Sequence, residues 1–173
     1  MKYNLIRDPE YQRIWSAGLT YQPPTGTTRV FQGLAGGEFH AFVSGGRQVL
    51  GRGHWLTGVG YRAAATSDLT DMVYWSNHWD YEILPTLYGL MEFNWFNWTR
   101  SGTRLPVAFE GNDLVNLGAT GVAGNNIVTM GVGARKRFGR VQKHELGAGY
   151  EYPLTARRDL LNDRLYLDLL LRF

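Results

Sequence analysis

The chain has no cysteine, so a disulfide framework and any thiolate metal centre are excluded, and the redox compartment is left open. It also lacks any run near the roughly 18 apolar residues that a membrane helix needs. Charge is sparse: Asp, Glu, Lys and Arg make up 19% of the 173 residues, against roughly 25% in an ordinary soluble domain. The net charge is small, 18 basic minus 15 acidic residues giving +3. The basic residues are scattered apart from Arg135–Arg137 and Arg157-Arg158, which argues against nucleic-acid binding. No 3.6-residue period persists and no fixed-length repeat recurs. No apolar leader follows Met1-Lys2 before Arg7-Asp8-Pro9, so the expectation is that an export signal was removed, or that the chain is the carboxy-terminal part of a longer precursor.

What is present is aromatic and glycine-rich: 14% aromatic, with 22 glycines. Aromatics favour strands, and glycine serves turns and crowded sheet positions. The pattern is two-residue alternation. In 164–173, Leu165, Leu167, Leu169, Leu171 and Phe173 form one apolar row, against Arg164, Tyr166, Asp168, Leu170 and Arg172. Successive strand side chains point to opposite faces, so this reads as a two-faced strand.

The same reading applies along the chain. Residues 1–11 are polar and end-like. A strand over 12–21 puts Trp15, Ala17, Leu19 and Tyr21 on one face before Pro23-Pro24 stops it. In 32–44, Phe39, Ala41 and Val43 alternate with Glu38 and His40; a longer link then covers 44–53. In 54–63, Trp55, Val59 and Tyr61 oppose Gly58, Gly60 and Arg62. In 74–84, Trp75, Trp79, Tyr81 and Ile83 oppose Ser76, His78, Asp80 and Glu82. In 87–98, Met91, Phe93 and Trp95 oppose Glu92 and Asn94. In 127–138, Val128, Met130 and Val132 oppose Gly131, Gly133, Arg135 and Arg137. In 144–154, Leu146, Ala148 and Tyr150 oppose Glu145, Gly147, Gly149 and Glu151. Residues 99–126 are the longest stretch without alternation, and a loop of that length is usually functional or folds inward.

About eight strands of about ten residues match the length a tilted membrane strand requires. Long loops gather at one predicted end and short turns at the other, the asymmetry of outer-membrane barrels. The tryptophans Trp15, Trp55, Trp75, Trp79, Trp95 and Trp98 often fall near predicted strand ends, as interfacial girdles do. The expected fold is all-β: one antiparallel up-and-down transmembrane barrel over 1–173. A soluble lipocalin-like barrel is the competing architecture. In the membrane case the polar rows, Glu38, His40, Arg62, His78, Asp80, Glu82, Glu92, Asn94, Arg135, Arg137, Glu145, Glu151, Asp168 and Arg172, line the lumen.

Two resemblances follow from particular segments. RLYLDLLLRF, at 164–173, resembles the carboxy-terminal assembly signal of bacterial outer-membrane barrels, carried by Leu167, Leu169, Leu171 and Phe173. That implies recognition by the barrel-assembly machinery and a place in outer-membrane lipid. GLTYQPPTG at 18–26, LMEFNWFNW at 90–98 and GAGYEYPLTARRDLLNDRLYLDL at 147–169 resemble outer-membrane proteins of the kind assigned to transport in the meta-pathway of phenol degradation. In such proteins, further strands and an export signal precede the matching part. The implied function is a porin-like passive channel for small solutes in a Gram-negative outer membrane.

Two other classes compete. One is a closed structural or adhesive barrel acting through its loops. The other is a lipid hydrolase using Ser76, His78, Asp80 and Glu82, which share one face. Neighbours at i and i+2 on a strand lie roughly 7 Å apart, too far for direct hydrogen bonds. A polar row tied to Arg62 or Arg135 by salt bridges explains these residues better, and no catalytic role is assigned. No cofactor is expected. His40 and His78 beside Glu38 or Glu82 lack metal-ligand spacing, and Gly131-Val132-Gly133 and Gly147-Ala148-Gly149 lack the following helix of a nucleotide loop.

Overall fold

A computed structural model describes residues 1–27, 33 and 36–172. Alternation becomes strand nearly everywhere. The elements are β1 (Lys2–Asp8), β2 (Arg13–Gln22), β3 (Glu38–Val49), β4 (Gly53–Ala64), β5 (Asp71–Leu84), β6 (Leu87–Arg100), β7 (Asn126–Phe138), β8 (His144–Pro153) and β9 (Arg164–Leu170). They form one sheet in sequence order, each strand antiparallel to the next. The fold is therefore all-β and up-and-down, as expected. No helix among the described residues is long and apolar enough to cross a membrane, which says nothing of crossing by strands.

Four expectations are corrected. Among the described residues there are nine strands rather than eight, because residues 1–11 supply β1. Its alternation is hidden by a register shift between Asn4 and Ile6, which leaves Leu5 and Ile6 adjacent. Second, 44–53 is mostly strand: β3 runs to Val49, and only Leu50-Gly51-Arg52 turns, with Leu50 and Gly51 at positive φ. Third, the last strand ends at Leu170, so Leu171 and Arg172 lie beyond it. Phe173, with Gln32 and the start expected for the 32–44 strand, lies outside the described residues. Fourth, the sheet is not closed into a barrel. With strict up-and-down order, β1 and β9 run in the same direction, and no pairing joins them among the described residues.

The end asymmetry holds, now without an exception. Links 65–70, 101–125 and 154–163, with the described ends of the link between β2 and β3, lie at one end; 9–12, 50–52, 85–86 and 139–143 lie at the other. Register places thirteen of the fourteen polar residues expected on one face on the same side of the sheet, Arg172 lying beyond β9. Directly opposed residues share a face: His40 faces Arg62, His78 faces Glu92, Glu92 faces Gly131, and Gly131 faces Glu151.

This side, here the inner face, is the covered one, half-buried at most positions and buried at several. Glu38, Asp80, Thr129, Glu145 and Glu151 are all buried on it. The opposite, outer face carries the apolar rows, and it is exposed: Leu19, Phe39, Val59, Trp75, Val132, Leu146 and Leu167 stand open, Leu167 to 74%. Trp98 breaks the girdle expectation. It sits on the inner face opposite Met72, 1% exposed, in a buried cluster with Phe96, Ala119, Val122 and Ile127.

Glycine lets the inner face curl. Tyr166 lies across β8 and β7 to donate to Glu92 Oε2 on β6 at 3.2 Å. A Cβ on Gly149 would lie 2.5 Å from the Tyr166 ring, and one on Gly131 would lie 3.0 Å from its hydroxyl. Only glycine leaves room for an aromatic ring laid flat over two neighbouring strands.

Candidate functional site: the covered inner face

Three polar clusters run from the short-turn end to the long-loop end. In the first, Asp80 on β5 gathers one base from the neighbouring β4 and one from β7, across β6. His54 Nδ1 lies 2.7 Å from its Oδ1, and Arg135 donates to its Oδ2 at 3.0 Å. Glu145 collects Arg172 at 3.2 Å, Arg135 at 3.6 Å and Arg137 at 3.8 Å. The Arg135 and Arg137 guanidiniums also lie over the Tyr88 ring, where a cation meets the negative face of the π system. In the second, Glu151 is fully buried and receives Arg164 and Thr129, each at 2.5 Å, and Asn94 at 3.2 Å. A buried carboxylate is tolerable only when its lone pairs are filled this way. Beside it, His78 Nδ1 lies 2.9 Å from Glu92 Oε1, while its Nε2 faces Asp80 at 3.8 Å. In the third, Arg62 makes a two-pronged contact with Glu38 at 2.8 and 3.3 Å, and His40 Nε2 lies 2.9 Å from the Tyr74 hydroxyl.

The structure thus gathers Glu38, Arg62, His78, Asp80, Glu92, Asn94, Arg135, Arg137, Glu145, Glu151 and Arg172 into groups in which opposite charges meet. The tie to Arg135 is the one expected of Asp80; Arg62 serves Glu38 instead. Glu82 is drawn aside, accepting the Thr86 backbone N–H at 2.9 Å. Asp168 stays exposed on its row, opposite Gly147. Ser76 shares the face, but His78 turns both ring nitrogens to carboxylates rather than to Ser76. Among the described residues no group of three or more His, Asp or Glu is arranged to hold a metal ion.

Sequence reasoning expected the long unpatterned stretch to be functional or to fold inward, but missed the residues that make it a cover. Residues 101–125 fold over the inner face at the long-loop end. Glu110 is 1% exposed, and its carboxylate accepts backbone N–H groups of Leu117 and Ala119 at 2.8 Å and of Gly111 at 3.2 Å. Asn116 bridges loop and sheet, donating to Thr70 O at 2.9 Å and to Glu38 Oε2 at 3.2 Å. The neighbouring link locks on: Asp159 accepts the Glu110 N–H at 2.8 Å, Arg157 donates to Ala108 O, and Arg164 pairs with Asp113 at 3.1 Å. These carboxylates and amides serve backbone groups that have no ladder. The signal available in advance was the length of the unpatterned stretch, not any one residue.

Between cover and sheet lies a cavity of about 1090 Å3. Its sheet side presents Thr20, Gln22, His40, Arg62, Ser76 and Asn94; its loop side presents Leu105, Phe109, Leu114, Leu117 and Leu160. A second cavity, about 420 Å3, opens on the inner face nearer the short turns, beside Ser44, Leu56, His78 and Glu92.

The fold and this surface define a class: a nine-stranded antiparallel meander with a buried polar face under a folded-in loop and an exposed apolar face. Compared with models of known protein families, with curated proteins and with solved structures, the chain matches none.

Proposed function

We propose that this sheet is a wall of a β-barrel in a bacterial outer membrane, and that its inner face lines a path for small solutes. The observation that carries the reading is the inverted polarity of the two faces. In water, a two-faced sheet buries its apolar side and solvates its charged side. Here Glu151 and Thr129 are fully buried while Leu165, Leu167 and Leu169 are 72%, 74% and 61% exposed. At roughly 25 cal/mol per Å2, an apolar face of this extent exposed to water is strongly unfavourable. Against lipid tails it is the required surface. The lengths of β3 to β7, 12 to 14 residues, suit tilted crossing of a hydrocarbon layer.

A passive path needs polar groups that do not trap the solute, and the paired charges of the inner face meet that condition. The 101–125 cover narrows the long-loop end, so the expected conductance is small. Reconstitution in planar lipid bilayers tests the reading: discrete conductance steps are expected. Protein that inserts, shows a heat-dependent gel shift and never conducts would sink the channel and leave a closed barrel acting through its loops. Protein that remains in aqueous solution without detergent would remove the membrane assignment itself.

A further inference from the structure

We infer that the cavity beneath the 101–125 cover is a binding site for an uncharged amphipathic solute, a small hydrocarbon carrying a hydroxyl group. The inference rests on the reading of the inner face as a solute path, and it names what that path holds.

The two walls differ in chemistry. The loop wall is largely hydrocarbon, from Leu105, Phe109, Leu114 and Leu117, with Asp113 and Asn116 as its polar members. The sheet wall is polar, but its charges are spent on each other. Among the described lining residues, Arg62 is held by Glu38 at 2.8 Å, Glu38 also accepts from Asn116, and Asp113 is paired with Arg164 at 3.1 Å. An ion entering would surrender hydration and meet no uncompensated partner, which is costly. A neutral hydroxyl loses far less. It can exchange hydrogen bonds with Ser76 and with the Asn94 carbonyl, since the Asn94 amide already donates to Glu151. The attached hydrocarbon gains by leaving water for the leucine and phenylalanine side. About 1090 Å3 is at the upper end of small-molecule sites.

The test uses three probes of one shape: cyclohexylmethanol, cyclohexanecarboxylate and cyclohexylmethylammonium. Each is titrated at neutral pH against the full chain in phosphatidylcholine nanodiscs, with binding read by saturation-transfer NMR and protein-free nanodiscs as blank. The alcohol is expected to bind about tenfold or more tightly than either ion. Phe109→Ser, on the loop wall, should weaken the alcohol several-fold. Arg62→Leu uncovers the Glu38 carboxylate and should shift preference toward the ammonium; Glu38→Leu uncovers Arg62 and should shift it toward the carboxylate. Equal binding of all three by the parent chain would overturn the inference, as would an alcohol signal unchanged by Phe109→Ser, which means partition into lipid. A gain of ion binding cannot come from misfolding, and the parent ranking stands independently if a charge variant fails to fold. Alcohol binding without bilayer conductance keeps this site and removes the channel; conductance without alcohol binding overturns this site alone.

Discussion

Thr129 and Val132 are three residues apart on β7 and meet opposite surroundings. Thr129 is fully buried on the inner face, its hydroxyl on Glu151; Val132 is 45% exposed on the outer face. The contrast repeats across the sheet: Asp80 is buried while Tyr81 beside it is open, and Glu145 is buried while Leu146 is open. Period-two alternation alone is neutral between a soluble sheet and a membrane wall. On the proposed reading, it is the covered row that distinguishes them. Here the covered row is the charged one, satisfied by ion pairs that reach across strands and by a loop folded onto it. Along these strands burial follows hydrogen-bond demand, apart from the apolar cluster around Trp98 under the cover.

Removing a charge from the covered row should have the largest effect. Glu151→Ala strips Arg164, Thr129 and Asn94 of their shared buried acceptor, and a loss of about 3–5 kcal/mol is expected, read by urea unfolding in phospholipid vesicles. A loss below about 1 kcal/mol would mean that Glu151 meets water. Placing a charge on the open row comes next. Val132→Arg should cost about 2–4 kcal/mol if that face meets lipid. In water the same exposed change would fall within about 0.5 kcal/mol, so this one variant breaks the comparison or keeps it. Gly149→Val should cost about 1–3 kcal/mol, because its side chain would collide with the Tyr166 ring. Most of that loss should vanish in a Tyr166→Ala background, a coupling that a double-mutant cycle measures directly. The smallest effect belongs to the exposed Arg13–Asp8 pair at 3.1 Å. Arg13→Ala should change stability by about 1 kcal/mol or less and respond to salt.

Much of this was readable in the residues. The rows of β5 and β8 alternate without a break in their charged members, so Asp80, Glu145 and Glu151 could be put on one face before any coordinates. The same two-residue step from Glu92 through Asn94 and Phe96 reaches Trp98; an end-of-strand girdle was the weaker reading of that tryptophan. β1 was hidden because a bulge shifts the phase between Asn4 and Ile6, and a phase shift erases a periodicity signal over so short a strand. The turn at 50–52 was hidden because Gly45 and Gly46, turn residues by type, lie inside β3. Glu110 and Asn116 left no trace in the pattern. Most of their partners are backbone groups of the links, and no spacing rule announces those. Tyr74, Tyr166 and His54 lie on the polar row, yet their bonds to His40, Glu92 and Asp80 depend on curvature and register.

The central claim is that the outer face meets hydrocarbon and the inner face does not. Single-tryptophan variants reconstituted into vesicles of brominated phosphatidylcholine test it most directly, because bromine quenches only indoles that touch the acyl chains. A variant keeping Trp75, on the open row, should be quenched strongly, and one keeping Trp98, buried on the covered row, should not. Trp75 untouched by bromolipid but quenched by aqueous acrylamide would contradict the account.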